Sequence, residues 1–285
     1  MNTDGLFTIH SVSIPVKINT PIHLVPFGDV HWDSPNHAEE TWREFIDYWK
    51  PRRKNAYFLG MGDYLDGYSS SERNIVYSRS LHDSTLAREE RETRKRVMRF
   101  CSQINWMKGR VLGIMGGNHY PEFSDGTTGD MMLANMLGTK YLGVCTALRV
   151  TLNANSNRSS IDIFAHHGRG GGTTAGGRMN AVEKLDRVAE ADIYLMGHNH
   201  ARGVLPLGQR LRLSVTRAGL KLVSRQQWIG RTGSFLKGYD PDSSSYVVDT
   251  AMPPASLGWI SFRLKLTRVM TGKVRETAVD IRAEQ

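Results

Sequence analysis

The chain has 285 residues, 40% of them hydrophobic, with a formal net charge of +9 and a pI near 9.6. That is enough apolar sequence to bury a full core, and one domain spanning 1–285 is expected for an α/β chain of this size. No stretch approaches the ~20 apolar residues of a membrane span, and the opening MNTDGLFTIHSV lacks a basic region followed by an apolar core, so the expectation is a soluble cytoplasmic protein with no membrane partner. Cys101 and Cys145 lie far apart outside any C-x-x-C pair, which argues against a thiolate zinc cluster and suits a reducing compartment.

In chain order, short apolar runs at Ile22 to Phe27, Ala56 to Met61, Val111 to Met115, Ile161 to Ala165 and Asp192 to Met196 read as buried strands. Between the first two, Trp42, Phe45, Ile46 and Trp49 recur at i, i+3, i+4, i+7, the spacing of one helical face. From Arg88 to Trp106 the positions Val97, Cys101 and Ile104 predict another helix, and Met131 to Leu137 and Arg178 to Ala189 predict two more. After His200 the texture turns β-rich, with strands predicted at Val204 to Leu207, Leu211 to Val215, Tyr246 to Val248 and Trp259 to Leu264. Strands alternating with helices, then strands alone, predict an α/β layered sandwich: two central sheets flanked by helices, with a β-rich part over 201–285.

Polar residues fall at the ends of these strands in a regular way. The segments are Gly28-Asp29-Val30-His31, Gly62-Asp63-Tyr64-Leu65-Asp66, Gly117-Asn118-His119, His166-His167-Gly168 and Gly197-His198-Asn199-His200. Side chains at the carboxyl ends of strands converge on one crevice, and carboxylates with imidazoles suit cations such as Mn, Fe, Zn or Ni. A Gly-Asp pair taken alone is usually a turn, and a lone loop histidine is usually a surface residue. Five such segments in order, each after an apolar run, outweigh that reading.

The series D-x-H, G-D-x-x-D, G-N-H, H-G and G-H-x-H resembles the calcineurin-like metallophosphoesterase family from Asp29 to His200. The resemblance implies two divalent cations, Mn2+ first, with Fe, Zn or Ni as alternatives. One would be held by Asp29, His31, Asp63 and His200, the other by Asp63, Asn118, His167 and His198, with Asp63 bridging. It also implies that His119 contacts the phosphate and protonates the leaving oxygen, and that Asp66 acts from behind the ligands. His166 is the alternative to His167; adjacency to Gly168 and the period-two alternation of a strand favour His167. The chain departs from the family pattern twice. Tyr120 stands where an acidic residue often follows G-N-H, so the partner that orients His119 has to come from elsewhere. The long gap between Asp63 and Asn118 implies a helical insertion over 67–108.

The expected activity is hydrolysis of a phosphate ester by a hydroxide shared between the two metals. A P-loop and a G-x-S-x-G elbow are both absent from the sequence. Arg202 to Lys237 holds eight Lys or Arg and no acid, with Trp228 and Phe235 interleaved, as in a surface that follows DNA or RNA and stacks bases; the competing reading is a solvated sheet face with its aromatics in the core. Arg88 to Arg110 holds eight basic residues against three acidic ones, which local pairing of Glu89, Glu90 and Glu92 with Arg94, Lys95 and Arg96 would partly neutralise. These features favour a phosphodiesterase or nuclease acting on nucleic acid or nucleotides. The alternatives are a phosphomonoesterase and a non-catalytic, metal-stabilised nucleic-acid-binding protein.

Overall fold

A computed structural model describes residues 5–67, 83–170, 172, 174–216, 219–239, 254, 256–271 and 274–284. The strand expected at Tyr246 to Val248 and the first part of the 67–108 insertion lie outside the described residues.

Two sheets face each other. One is built on β1 (Thr8–Pro15), β5 (Cys145–Ala154), β6 (Asn157–His166), β7 (Ile193–Met196), β9 (Gly219–Ser234) and β10 (Gly258–Trp259) in that order, with β8 (Arg202–Thr216) paired to β9. The other has the order β12 (Val274–Glu284), β11 (Ser261–Thr271), β2 (Pro21–Phe27), β3 (Ala56–Gly60), β4 (Val111–Ile114). Strands β2, β3 and β4 run parallel, as do β6 and β7, so five carboxyl ends from two sheets open on one rim of the sandwich.

Alternation along each strand divides the core. Leu24, Tyr57, Leu59 and Leu112 face the opposing sheet and meet Leu148, Val150, Ile163 and Leu195, while Val25, Phe27, Phe58 and Ile114 face outward to the helices. On that outer side lie α1 (Glu39–Trp49), α2 (Asp83–Ile104) and α3 (Gly129–Leu137). The i, i+3, i+7 spacing of Trp42, Phe45 and Trp49 does what it predicts: all three are buried. The other sheet is covered on its outside by α4 (Ala175–Glu183), through Val182 against Phe164, Tyr194 and Ile229. The architecture is therefore two sheets flanked by helices. No helix among the described residues is long and apolar enough to cross a membrane.

Several expected boundaries move. Val204 to Leu207 and Leu211 to Val215 belong to one strand, β8, interrupted by a bulge between Pro206 and Gly208. Trp259 to Leu264 splits between β10 and β11, and the helix expected over Arg178 to Ala189 ends at Glu183 in a 3-10 turn over Lys184–Arg187. Strands β1, β5 and β12 carry polar residues at alternate positions instead of an apolar run, because each exposes one face or edge; that is why continuous-run reading missed them.

Phe45 is fully buried and its ring meets Phe27, Phe58, Trp42, Phe235 and Trp259 at centroid distances of 5.1 to 6.5 Å. Phe45→Ala should cost about 3–5 kcal/mol in urea unfolding, and Tyr48→Ala, on the exposed side of the same helix, about 1 kcal/mol or less. Equal losses for the two would contradict this placement of α1.

Candidate metal centre

Three of the five strand ends, those of β2, β3 and β7, deliver their polar residues through an unusual backbone turn. Asp29, His31, Asp63, His198 and His200 all have positive φ, between 43 and 70°. This left-handed region is costly for residues with a Cβ, and among the described residues the two other non-glycine residues there are asparagines, Asn19 and Asn155. The turns are locked to each other. Asp29 N–H donates to Gly62 O (2.9 Å), Val30 N–H to Asp63 O (2.8 Å), and Gly197 N–H to His167 O (2.9 Å). Glycine permits the approach at Gly117, where a Cβ would overlap the Asp63 carboxylate, and at Gly62, where one would lie 2.6 Å from His167 Nδ1.

At the centre are two carboxylates, Asp29 and Asp63, each 1% exposed. Asp29 accepts the His198 N–H at 2.9 and 3.1 Å, and Asp63 Oδ1 accepts the His119 N–H at 2.8 Å. Imidazoles also surround the carboxylates: Asp63 Oδ2 lies 3.2 Å from His167 Nε2 and 3.9 Å from His31 Nε2, and Asp29 Oδ1 lies 3.8 Å from His200 Nε2. Donor atoms group within 4.8 Å as Asp29, His31 and His200 on one side and as Asp63, His167 and His198 on the other, with a further group of His31, Asp66 and His119 at the edge. Asn118 Oδ1 joins the second set, 2.9 Å from His167 Nε2 and 2.6 Å from His198 Nδ1.

Proton positions follow from the partners. His167 Nδ1 is 2.8 Å from the Met61 carbonyl, which can only accept, so a proton sits there and Nε2, facing two oxygens, has to carry a second proton or a cation. His31 Nδ1 is 3.0 Å from the Asp66 carboxylate, and His31 Nε2 is buried with no hydrogen-bond partner. Lone pairs therefore face lone pairs, an arrangement that a proton or a cation must resolve. Burial alone lowers the His167 pKa, but Asp63 outweighs it and raises it to about 9. Asp63 is pushed up by burial and pulled further down by His167, well below the usual carboxylate range, whereas burial raises Asp29. Burial and the neighbouring imidazoles depress His198 to about 4 and His200 to about 3, so both are neutral at pH 7 with a lone pair available. Buried carboxylates, neutral imidazoles and an amide oxygen fit a pair of borderline divalent cations.

The tertiary structure also separates the doubtful positions. His167 is buried at the centre, while His166 is half-buried and accepts the Gly168 N–H at 2.8 Å through Nδ1. His119 Nδ1 lies 3.0 Å from the Gly67 carbonyl, so a backbone oxygen orients it where Tyr120 cannot. Asp66 sits on His31. Sequence reasoning missed three supports. Asp130, which opens α3, accepts the Gly117 N–H at 3.2 Å; a Thr128 cap followed by an acid reads simply as a helix start. Asp33 accepts the Asp66 N–H at 2.6 Å. Arg231, counted within the basic run, is fully buried and donates to Gly197 O (2.7 Å) and Arg178 O (3.0 Å), which ties the His198 loop to α4.

No family model matches the chain, and no curated protein matches it. Among solved structures, a Vps29 double mutant from Entamoeba histolytica is 13% identical over 65% of this chain and 88% of that one, with a TM-score of 0.28.

Gly117→Ala should displace the Asp63 carboxylate and remove at least one equivalent of bound Mn(II) by elemental analysis, and Gly176→Ala, with open space around it, should leave both. Full metal content in Gly117→Ala would show that this close approach is dispensable.

Proposed function

We propose that the chain is a two-metal phosphoesterase. The observation that carries this reading is the pair of buried carboxylates among imidazole nitrogens in two groups, Asp29 in one and Asp63 in the other, with Asp63 Oδ2 also 3.9 Å from His31 Nε2 of the first. The ordered motifs and their resemblance to calcineurin-like metallophosphoesterases support it. Asp29, His31, Asp63 and His200 would hold one cation, and Asp63, Asn118, His167 and His198 the other. When bound, such a pair supplies Lewis acidity to the phosphoryl oxygens and lowers the pKa of the attacking water.

The chain's own groups do the rest. His119, held at Nδ1 by Gly67, presents its Nε2; protonated there, it gives that proton to the leaving oxygen and returns to the tautomer the carbonyl holds. Asp66 keeps His31 Nδ1 protonated and so leaves Nε2 for the cation. Met61, Val30 and Leu65, beside the ligands in sequence, are buried, as are both carboxylates, which keeps Asp29 and Asp63 out of bulk water.

Among substrates, a phosphodiester of nucleic acid or nucleotides is favoured by the net charge of +9, which concentrates polyanions at the surface. The basic run from Arg202 supports it less than its composition suggests. Phe235 is a core residue, Arg231 is buried, and Arg225 pairs with Asp192 at 3.2 Å, so base stacking along this run is not part of the reading.

Asp63→Asn should weaken Mn(II) binding at least about a hundredfold and remove hydrolysis of bis(4-nitrophenyl) phosphate, while His119→Gln should keep two equivalents of metal and slow turnover roughly 10²–10⁴-fold. Unchanged turnover in Asp63→Asn, in Mn-replete buffer, is the result that would end the two-metal reading. For the substrate, DNA binding should weaken steeply between low and physiological salt; salt-independent binding, with faster turnover of 4-nitrophenyl phosphate than of the diester, would move the assignment to a monoesterase.

A further inference from the structure

Helix α2 lies within the stretch that the sequence resemblance implies is inserted, and two of its ion pairs are local to the helix. Arg94 bonds Glu90 at 2.8 Å and Lys95 bonds Glu92 at 2.8 Å, at i+4 and i+3 as expected. Arg96 does otherwise. Its Nη1 leaves the helix and donates to Asp33 Oδ2 at 2.7 Å, sixty-three residues away in sequence, while Nη2 reaches Thr93 Oγ1 at 3.3 Å. The other oxygen of Asp33 accepts the backbone N–H of Asp66 at 2.6 Å, and the Asp66 carboxylate meets His31 Nδ1 at 3.0 Å. His31 Nε2 is the buried, unpartnered atom that faces Asp63. Four residues thus form one unbroken chain from a helix surface to the metal centre.

Packing reinforces this chain. Phe100, four residues and one helical turn after Arg96, meets Trp32 in a tilted contact at 6.2 Å and stacks against Tyr64 at 6.0 Å, and the Trp32 N–H donates to Tyr64 O at 3.0 Å. The same face of α2 therefore grips the turn that follows His31 and the turn that follows Asp63. An Asp33 side chain only 12% exposed would be a costly charge without the guanidinium, and its two oxygens clamp Arg96 and the Asp66 backbone together.

We infer that Arg96, acting through Asp33 and Asp66, is a positioning residue that holds the His31 imidazole with its proton on Nδ1 and its Nε2 turned to the metal. This inference rests on the two-metal reading. It assigns α2 a role in metal affinity that local salt bridging would not give it.

The experiment titrates Mn(II) into the full-length metal-free protein by calorimetry, with bound metal followed by electron paramagnetic resonance, for the wild type, Arg96→Met, Arg96→Lys, Asp33→Asn and Asp66→Asn. Asp66→Asn should weaken one of two Mn(II) sites about 10- to 100-fold. Arg96→Met and Asp33→Asn should weaken the same site roughly 3- to 10-fold and leave the other unchanged, with partial recovery in Arg96→Lys. Because the residues act in series, Arg96→Met combined with Asp66→Asn should bind no more weakly than Asp66→Asn alone. Wild-type affinity at both sites in Arg96→Met and Asp33→Asn would overturn the inference, as would additive losses in the double variant or equal weakening of both sites. In each of these cases a wild type that binds two Mn(II) leaves the two-metal reading standing. A wild type that binds none ends that reading and takes this inference with it.

Discussion

Two carboxylates held out of water within reach of four imidazoles set the terms for this molecule. An ionised carboxylate without a countercharge is strongly disfavoured in an apolar interior, so Asp29 and Asp63 can be buried together only if one takes up a proton or positive charge is supplied between them. His167 supplies it as a proton, with a pKa raised to about 9, when nothing else does. Neutral His198 and His200 and the unpartnered His31 Nε2 are donors waiting on the same sites. The arrangement could hold a metal ion and requires strict placement of the residues around it.

Placement carries its own conformational penalty. Five of the rim residues with side chains sit at positive φ, each at a cost of order 1 kcal/mol or more, and such turns persist only where the surroundings over-determine them. Here the backbone of each turn is hydrogen-bonded to the next, from Asp29 to Gly62 and from Gly197 to His167, and glycines allow the chains to touch. Behind them stand the aromatic cluster under α1 and α2 and the aliphatic layer between the sheets, whose rigidity turns five separate loops into one rim. Arg231 and Asp33 extend the same logic outward, tying the rim to α4 and α2.

Surface charge works at a different scale. The excess of basic residues bears on encounter with phosphate, but the fold takes some of them out of service: Arg231 goes inside, Arg96 pairs with Asp33, and Arg225 pairs with Asp192. Net charge is a property of composition, and the field at the rim is a property of which cations remain exposed.

Much of the rim could be read from sequence because it obeys local rules. An apolar run followed by Gly-Asp, Gly-Asn-His or His-Gly marks a strand and the polar group at its end, and helical spacing marks Trp42, Phe45 and Trp49 as one buried face. The two-sheet layering followed from the same periodicities. Local rules do not reach pairings across the fold. That His167 turns inward while His166 caps Gly168, that a Gly67 carbonyl orients His119, and that Phe235 belongs to the core were settled by packing. Strand-end chemistry is written within a few adjacent residues, whereas Arg96 meets Asp33 only because two sheets and a helix bring distant segments together. Spacing along the chain specifies which groups arrive at the rim; their partners, protonation and charge balance depend on what else arrives beside them.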